Sequence, residues 1–457
     1  MSLTYSEIWR EFLRYKTGII GLAILAVLVV ISIVAVATIP LETFQQWQNP
    51  AQWINNPRSA MPIWINNFMT TKLPEHQIIK EPDIVEMSKD GIRTLSHKFV
   101  FDYNYDVFLN DFMLSYIAQY HTISPLLQFS IERPDGNKIE MLRTSLPMPQ
   151  TGSYTHTGII FSTDDAIKKS SRGVISKFKC TIDESQPEVI LFADVKKCKV
   201  LKGTYKMTAT FFLFDDRDNI IDSELLLGGK VYGLLGTDEL RRDLAVGIVW
   251  GTPIALFIGI SVSSMSVIIG LIYGIISGYR GKRTDEVMMR ANDVVYALPA
   301  LPILILLAVT VGKSIFLIVG YLIIFGWVAI AKVSRSMALQ IKNLQYIEAA
   351  QLMGQSSTRI IFKHILPQLL PYAFAIIAIS VPAAIITEAG LSFLGLGDPT
   401  LPTWGQILHD ANVFGAAARG LWWWIVPPGV MIAITGLAFV LIGTALDSIV
   451  NPKMRKI

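Results

Sequence analysis

Hydrophobic and polar positions give the chain two textures. Residues 18–39 form a run of 22 without a charge, preceded by Arg10, Arg14 and Lys16. At about 1.5 Å per residue, a helix of that length crosses a ~30 Å hydrocarbon layer. Ala35-Val36-Ala37 fits the small-x-small cleavage rule of a signal peptide. A signal h-region holds only about 7 to 15 residues, however, so the run is expected to remain as an anchor. Across 41–235 charges return, and short alternating apolar stretches are separated by turns. Residues 126–143 read as a hairpin around Pro134-Asp135-Gly136-Asn137, and 204–227 repeat the form around Asp215-Asp216-Arg217-Asp218-Asn219. Such strands and turns predict a β-sandwich. Spanning texture resumes at 246–277, 294–311, 315–331, 369–393 and 422–446, which makes six predicted transmembrane helices.

Composition agrees with a bilayer. Of 457 residues, 52% are hydrophobic and only 17% charged, and the mean hydropathy is +0.45, too apolar for solvation on all sides. A purely soluble enzyme, a disordered chain and a collagen-like repeat are excluded on this ground. The net charge of +4 is too small to argue for nucleic acid as a partner. Fifteen of the nineteen lysines and arginines outside 41–235 fall in segments 1–17, 278–291, 332–368 and 447–457. The positive-inside rule therefore predicts a multi-pass cell-membrane protein with both termini cytoplasmic and 41–235 extracellular.

Candidate chemistry is sparse. Gly312-Lys313-Ser314 imitates the end of a phosphate-binding loop, but Leu307 stands where the earlier glycine belongs. Neither a His-Glu-x-x-His nor a Gly-x-Ser-x-Gly pattern occurs, and His364 and His409 read as interfacial or loop residues. No catalytic residue, metal site or cofactor is expected. Cys180 and Cys198, the two cysteines, lie on the side predicted to be oxidising, so a disulfide between them is plausible, with two reduced thiols as the alternative. Pro253, Pro299, Pro302, Pro382 and Pro427-Pro428 are expected to interrupt membrane helices, and Gly270, Gly274 and Gly278 to give a small-xxx-small packing face. Glu388 could meet a solute, or cap the Gly-rich loop that follows it; an unsatisfied loop in lipid is costly, which favours the cap.

The informative stretch is 346–367. It reads as a short helix of small and apolar residues, then Gly354 suited to a left-handed C-cap, then a second helix from about Ser356 stopped by Pro367. Glu348-Ala349-Ala350, Gly354 and Leu366-Pro367 resemble the EAA loop of the membrane subunits of binding-protein-dependent ABC importers. An Ile usually precedes x-Leu-Pro there; His364 at this position is associated with the peptide-importer branch. Leu235-Gly236-Thr237-Asp238-Glu239-Leu240, Gly278-Tyr279, Asp285-Glu286, Tyr296 with Pro299, the run from Glu388 to Gly397, and Pro402-Thr403-Trp404-Gly405 are similar to the C-type permease of oligopeptide and dipeptide importers. Arg241 departs from that pattern, where a glycine is usual.

The resemblance implies an all-α polytopic membrane core, to which the strand-and-turn texture of 41–235 adds an inserted, mainly β, sandwich-like extracellular domain. The parts are 1–40 with the first helix, the inserted 41–235, and a permease core at 236–457 with a coupling loop at 335–367. The resemblance implies ATP-driven import of peptides, with no cofactor in this chain because ATP binds the partners. Those partners are a homologous permease in a heterodimer, two cytoplasmic ABC ATPase subunits, an extracellular substrate-binding protein and the lipid bilayer. Glu348, Ala349, Ala350, Gly354, Arg359, Leu366 and Pro367 are the expected coupling residues; Glu388, Pro299 and Trp404 are candidate pathway or gate residues. The alternatives are import of oligosaccharides or another small solute, a secondary transporter, and a membrane-anchored surface receptor. On the inserted domain the resemblance is silent. Its charges nearly cancel, and the aromatic series Tyr103, Tyr105, Phe108, Phe112, Tyr116 and Tyr120 suits a core or a docking surface.

Overall fold

The computed structural model describes residues 10–89, 91–149, 154–175 and 186–450. They fall into two compact units, one formed by the chain up to Asn49 together with Val246 onward, the other by Pro50–Ala245.

The first unit is helical. Its elements are α1 (Lys16–Thr38), α2 (Leu244–Arg280), α3 (Lys282–Ala297), α4 (Ala300–Thr310), α5 (Ile315–Lys342), α6 (Gln345–Leu352), α7 (Ser357–Phe393), α8 (Trp404–Val413) and α9 (Trp422–Val450). Five of them, α1, α2, α5, α7 and α9, are long and apolar enough to cross a bilayer, and α3 with α4 makes a sixth crossing only as a pair bent by 76°. The predicted span at 294–311 is thus not one rod. Leu298, at ψ 134°, takes the extended form that a following proline imposes, and α4 alone has 11 residues, about 16 Å of helix. Of the prolines expected to interrupt helices, Pro299 is the one at a break; Pro253, Pro302, Pro382, Pro427 and Pro428 stay inside helices. The glycine faces set the packing. A Cβ on Gly270, Gly274 or Gly278 would stand 2.6, 2.3 or 2.7 Å from the carbonyls of Trp327, Ala331 and Arg335, so α2 lies against the α5 backbone over three successive turns. Gly21 does the same for α1 against α9, where a Cβ would meet Ala438 O at 2.7 Å.

The second unit has two antiparallel sheets. Its strands are β1 (Gln77–Ile79), β2 (Asp83–Lys89), β3 (Ile92–Tyr103), β4 (Asp111–Tyr120), β5 (Leu126–Glu132), β6 (Lys138–Ser145), β7 (Tyr154–Phe161), β8 (Gly203–Leu213) and β9 (Asn219–Gly228). They are ordered β1-β9-β4-β7 and β2-β3-β8-β5-β6. One apolar cluster takes side chains from both sheets, with Phe112 against Phe129 at 6.4 Å and Tyr116 against Phe211 at 5.3 Å, so this is a sandwich. β5 and β6 form the expected hairpin. β8 and β9 do not: β8 pairs with β3 and β5, β9 with β4 and β1, so the turn between them passes from sheet to sheet. Tyr205, Met207, Ala209, Phe211 and Leu213 are all buried, as are Leu225 and Leu227; both rows face one core, which a hairpin within one sheet also allows, so spacing could not separate the two. Tyr103, Phe112, Tyr116 and Tyr120 are buried and Tyr105 and Phe108 pack against them. The aromatic series is core.

Cys198 is disulfide-bonded, at φ 51°; Cys180 lies outside the described residues. Bonded to each other, the two would close a loop of about 18 residues, worth roughly 3 kcal/mol in the chain-entropy model. Intact mass before and after alkylation without reductant should show no added label, and two labels would rule the bridge out.

Candidate functional site

Between α5 and α7 the chain turns through a helical elbow. α6 ends at Gly354, whose φ of 75° is left-handed. Gly354 N donates to Gln351 O at 2.9 Å and Gln355 N to Ala350 O at 3.1 Å, the paired bonds of a Schellman C-cap. Ser356 then caps the next helix, its hydroxyl accepting from Arg359 N at 3.4 Å. Pro367 does not stop that helix, contrary to the sequence reading. A π-helical turn at Ile361–Ile365 precedes it and Leu366 N reaches back to Ile361 O. Pro367 then occupies the first turn of the following α-helical stretch, where its missing N–H costs little.

The elbow has a seated face and an open one. Ile347, Ala350, Ile360, Ile361 and Ile365 share an apolar cluster with Leu271, Ile275 and Tyr279 of α2. Glu348, Ala349, Gly354, Arg359 and Pro367 are exposed and Leu366 is half-buried. The expected coupling residues therefore divide: Ala349 points outward, whereas Ala350, 2% exposed, seats the elbow on its own chain. Leu352, at 90% exposure, and Met353 extend the open ridge. Sequence reasoning passed over both, although an apolar pair directly before a capping glycine was a visible signal. The base of the elbow is braced by Asp285 of α3, which accepts from Arg335 Nε at 2.6 Å and Nη2 at 2.5 Å. Gln351 Nε2 also donates to Tyr279 Oη at 3.3 Å.

The candidate gate residues have packing roles. Glu388 is buried and accepts from Ser392 Oγ at 2.7 Å and from the Thr403 hydroxyl. Thr403 in turn caps α8 by accepting from Gln406 N at 3.1 Å, so Glu388 ties the Gly-rich loop to the helix beyond it. Trp404 lies over Gly251 and donates Nε1 to Ile248 O at 3.0 Å, a wedge against α2 near Pro253. Pro299 forms the α3–α4 bend. Neither Glu388 nor Trp404 faces the cavity of about 300 Å³ among α2, α4, α5 and α7. Its polar lining comes from Ser263, Ser266, Ser380 and Thr387.

Apolar spans packed through glycine faces, an open helical elbow braced at its base and a hydroxyl-bearing cavity among the spans define a multi-pass membrane transport component. Residues 270–456 match the family described as binding-protein-dependent transport system inner membrane component, and 4–57 match the N-terminal TM domain of oligopeptide transport permease C. The chain is 40% identical over 223 residues to the oligopeptide transport system permease protein of Bacillus subtilis, covering 48% of this chain and 72% of that protein. It is 38% identical over 222 residues to the same organism's dipeptide transport system permease protein, covering 48% and 69%. With a glutathione transport system permease protein of Pectobacterium atrosepticum it shares 33% over 249 residues, covering 54% and 82%. The chain belongs to this family of binding-protein-dependent permeases.

Proposed function

We propose that this chain is a permease subunit of an ATP-driven importer of di- and oligopeptides. The observation that carries the reading is the open ridge of the elbow, Glu348, Ala349, Leu352, Met353 and Gly354, held on a rigid base in a chain of this family. An ATPase subunit grips that ridge, and ATP binding supplies the differential free energy between outward-open and inward-open states. A homologous permease completes the pathway, to which the serine-lined cavity contributes, and a binding protein delivers the peptide. The peptide assignment is supported by the oligopeptide and dipeptide names of the relatives. Purification of the intact complex from its native membrane should bring two ATPase subunits with it; a chain that transports alone, without them, sinks the reading.

Both termini face the cytoplasm and residues 41–235 lie outside, an orientation supported by the distribution of lysine and arginine. Impermeant thiol reagents added to sealed cells should label cysteines introduced at Asp135 and Asp216 but not at Lys282, Gln355 or Lys456. Labelling at 355 from outside reverses the topology. The inserted domain docks the binding protein or braces the partner permease. Deleting 45–230 behind a short flexible linker should preserve insertion and ATPase association while peptide uptake falls; full uptake by that variant removes the domain from both roles.

A further inference from the structure

Two serines near the middle of α2 find nothing in the protein to bond. Ser263 and Ser266 are 1% and 3% exposed, and neither Oγ has a hydrogen-bond partner among the described residues. Hydroxyls inside helices commonly donate to the carbonyl four residues back, and Ser32, Thr252, Thr310, Ser334 and Thr387 all do so here. Ser263 and Ser266 depart from that habit. Three residues apart, they share one face of the helix, and both line the cavity of about 300 Å³ among α2, α4, α5 and α7. A Cβ on Gly326 of α5 would stand 2.4 Å from Ser266 Oγ, so the glycine leaves the room that this hydroxyl occupies. An unsatisfied hydroxyl in a spanning helix is costly. Two on one face of one cavity mark a place where a polar group from outside the chain completes the bonds.

The lining limits what that group is. Ser380 and Thr387 add two more hydroxyls, Leu304, Leu322, Phe325 and Ile330 supply apolar wall, and no lining residue is charged. An ammonium or a carboxylate would enter without a counter-ion, at high cost. A hydroxyl both donates and accepts, so a pair of them can meet the N–H and the C=O of a peptide unit in either chain direction. The volume stands at the low end of ligand cavities, roughly 300–1,000 Å³, which suits one peptide unit at a time. We propose that Ser263 and Ser266 form a cargo subsite that holds the uncharged peptide unit of a passing solute and leaves its charged ends elsewhere. The subsite rests on the reading of the chain as a peptide permease. All of its lining residues belong to the helical unit, so it needs nothing from the inserted domain.

The test uses the intact complex, with its partner subunits and binding protein, reconstituted in vesicles. The probe is the tripeptide Ala-photoleucine-Ala, whose diazirine forms a covalent adduct on illumination. During uptake of the probe, mass spectrometry should find adducts in 262–266, 322–330 or 380–387, suppressed by excess trialanine. Ser263→Ala combined with Ser266→Ala should lower both the adduct yield and the uptake rate at saturating probe several-fold. The amount of protein should hold, since neither hydroxyl makes a bond that the fold uses. Adducts found only outside those segments overturn the subsite. An alanine variant that matches the parent in yield and rate does so too, by showing that the hydroxyls hold water and not cargo. Uptake by the parent that needs no ATP sinks the importer reading alone, and the adduct map still decides the subsite; a parent that does not take up the probe at all overturns both.

Discussion

Gly354→Val should leave the protein inserted in the membrane at normal levels while peptide uptake falls five- to thirtyfold. Gly354 sits at φ 75°, where a side chain costs about 1–2 kcal/mol and a β-branched one is a genuine outlier. Beyond its chain neighbours, no atom of the described residues lies within 4 Å of a Cβ built there, so the penalty is conformational, not a clash. One to two kcal/mol is a factor of about five to thirty in the ratio of formed to opened elbow. The Schellman bonds from Gly354 and Gln355 then open and the ridge loses its shape. Gly354→Asn, which tolerates the left-handed region, should retain most uptake. Ala349→Trp, on the open face, should uncouple ATP hydrolysis from transport without disturbing the fold. Ala350→Trp, at a buried position, should instead unseat the elbow and lower the amount of protein. Normal uptake by both Gly354→Val and Ala349→Trp takes the elbow out of the mechanism.

Arg241→Gly should destabilise the inserted domain, although glycine is the residue usual at this position in the permeases the chain resembles. Arg241 is itself left-handed, at φ 66°, so glycine relieves strain. The arginine also holds buried Asp111 through an ion pair, donates Nη1 to Asn56 O at 2.7 Å, and lies over the Phe161 ring at 5.7 Å. Breaking a buried pair costs about 3–5 kcal/mol against about 1–2 kcal/mol of relieved strain, a net loss of roughly 1–4 kcal/mol at neutral pH. Burial pushes the Asp111 carboxyl up from its ordinary range, and Arg241 and Arg58 pull it back. In Arg241→Gly the pull of Arg241 disappears, so folded Asp111 keeps its proton to higher pH than the unfolded chain does. A carboxyl raised in the folded state is compatible with folding below the ordinary carboxylate range, and stability is lost as pH rises through that range. The defect should therefore shrink in acid, and Asp111→Asn added to Arg241→Gly should recover much of it at pH 7. Urea-dependent proteolysis of the domain in membrane-bound protein measures both. Equal stability of Arg241→Gly and the parent at pH 7 removes the clasp.

The elbow was legible because its determinants are local. A capping serine, a glycine that must turn left and small residues between them act over a few positions, and 346–360 folds as those residues require. Where a local signal had two outcomes the sequence went astray. Pro367 can end a helix or open its first turn, and the π-helical turn at Ile361–Ile365 decided between them. Asp111 and Arg241 are 130 positions apart, and nothing in either's neighbourhood announces the other. The same holds for Asp285 and Arg335, whose pairing depends on α3 folding back along α5.

Hydrophobic texture by itself determined that the chain crosses a bilayer and carries an inserted β domain, because solvent preference is summed over some twenty residues for a span and alternates every two for a strand. The glycine periodicity on α2 likewise announced a close helix contact, and the structure placed it against α5. Only the tertiary structure decided that β8 and β9 part into different sheets, that Pro299 bends a span its neighbours leave straight, and that Ala349 faces out while Ala350 faces in. These depend on which surfaces meet across long separations in sequence. Pattern records that a side chain wants burial but not what buries it, and the choice of partner falls to the packing of the whole unit.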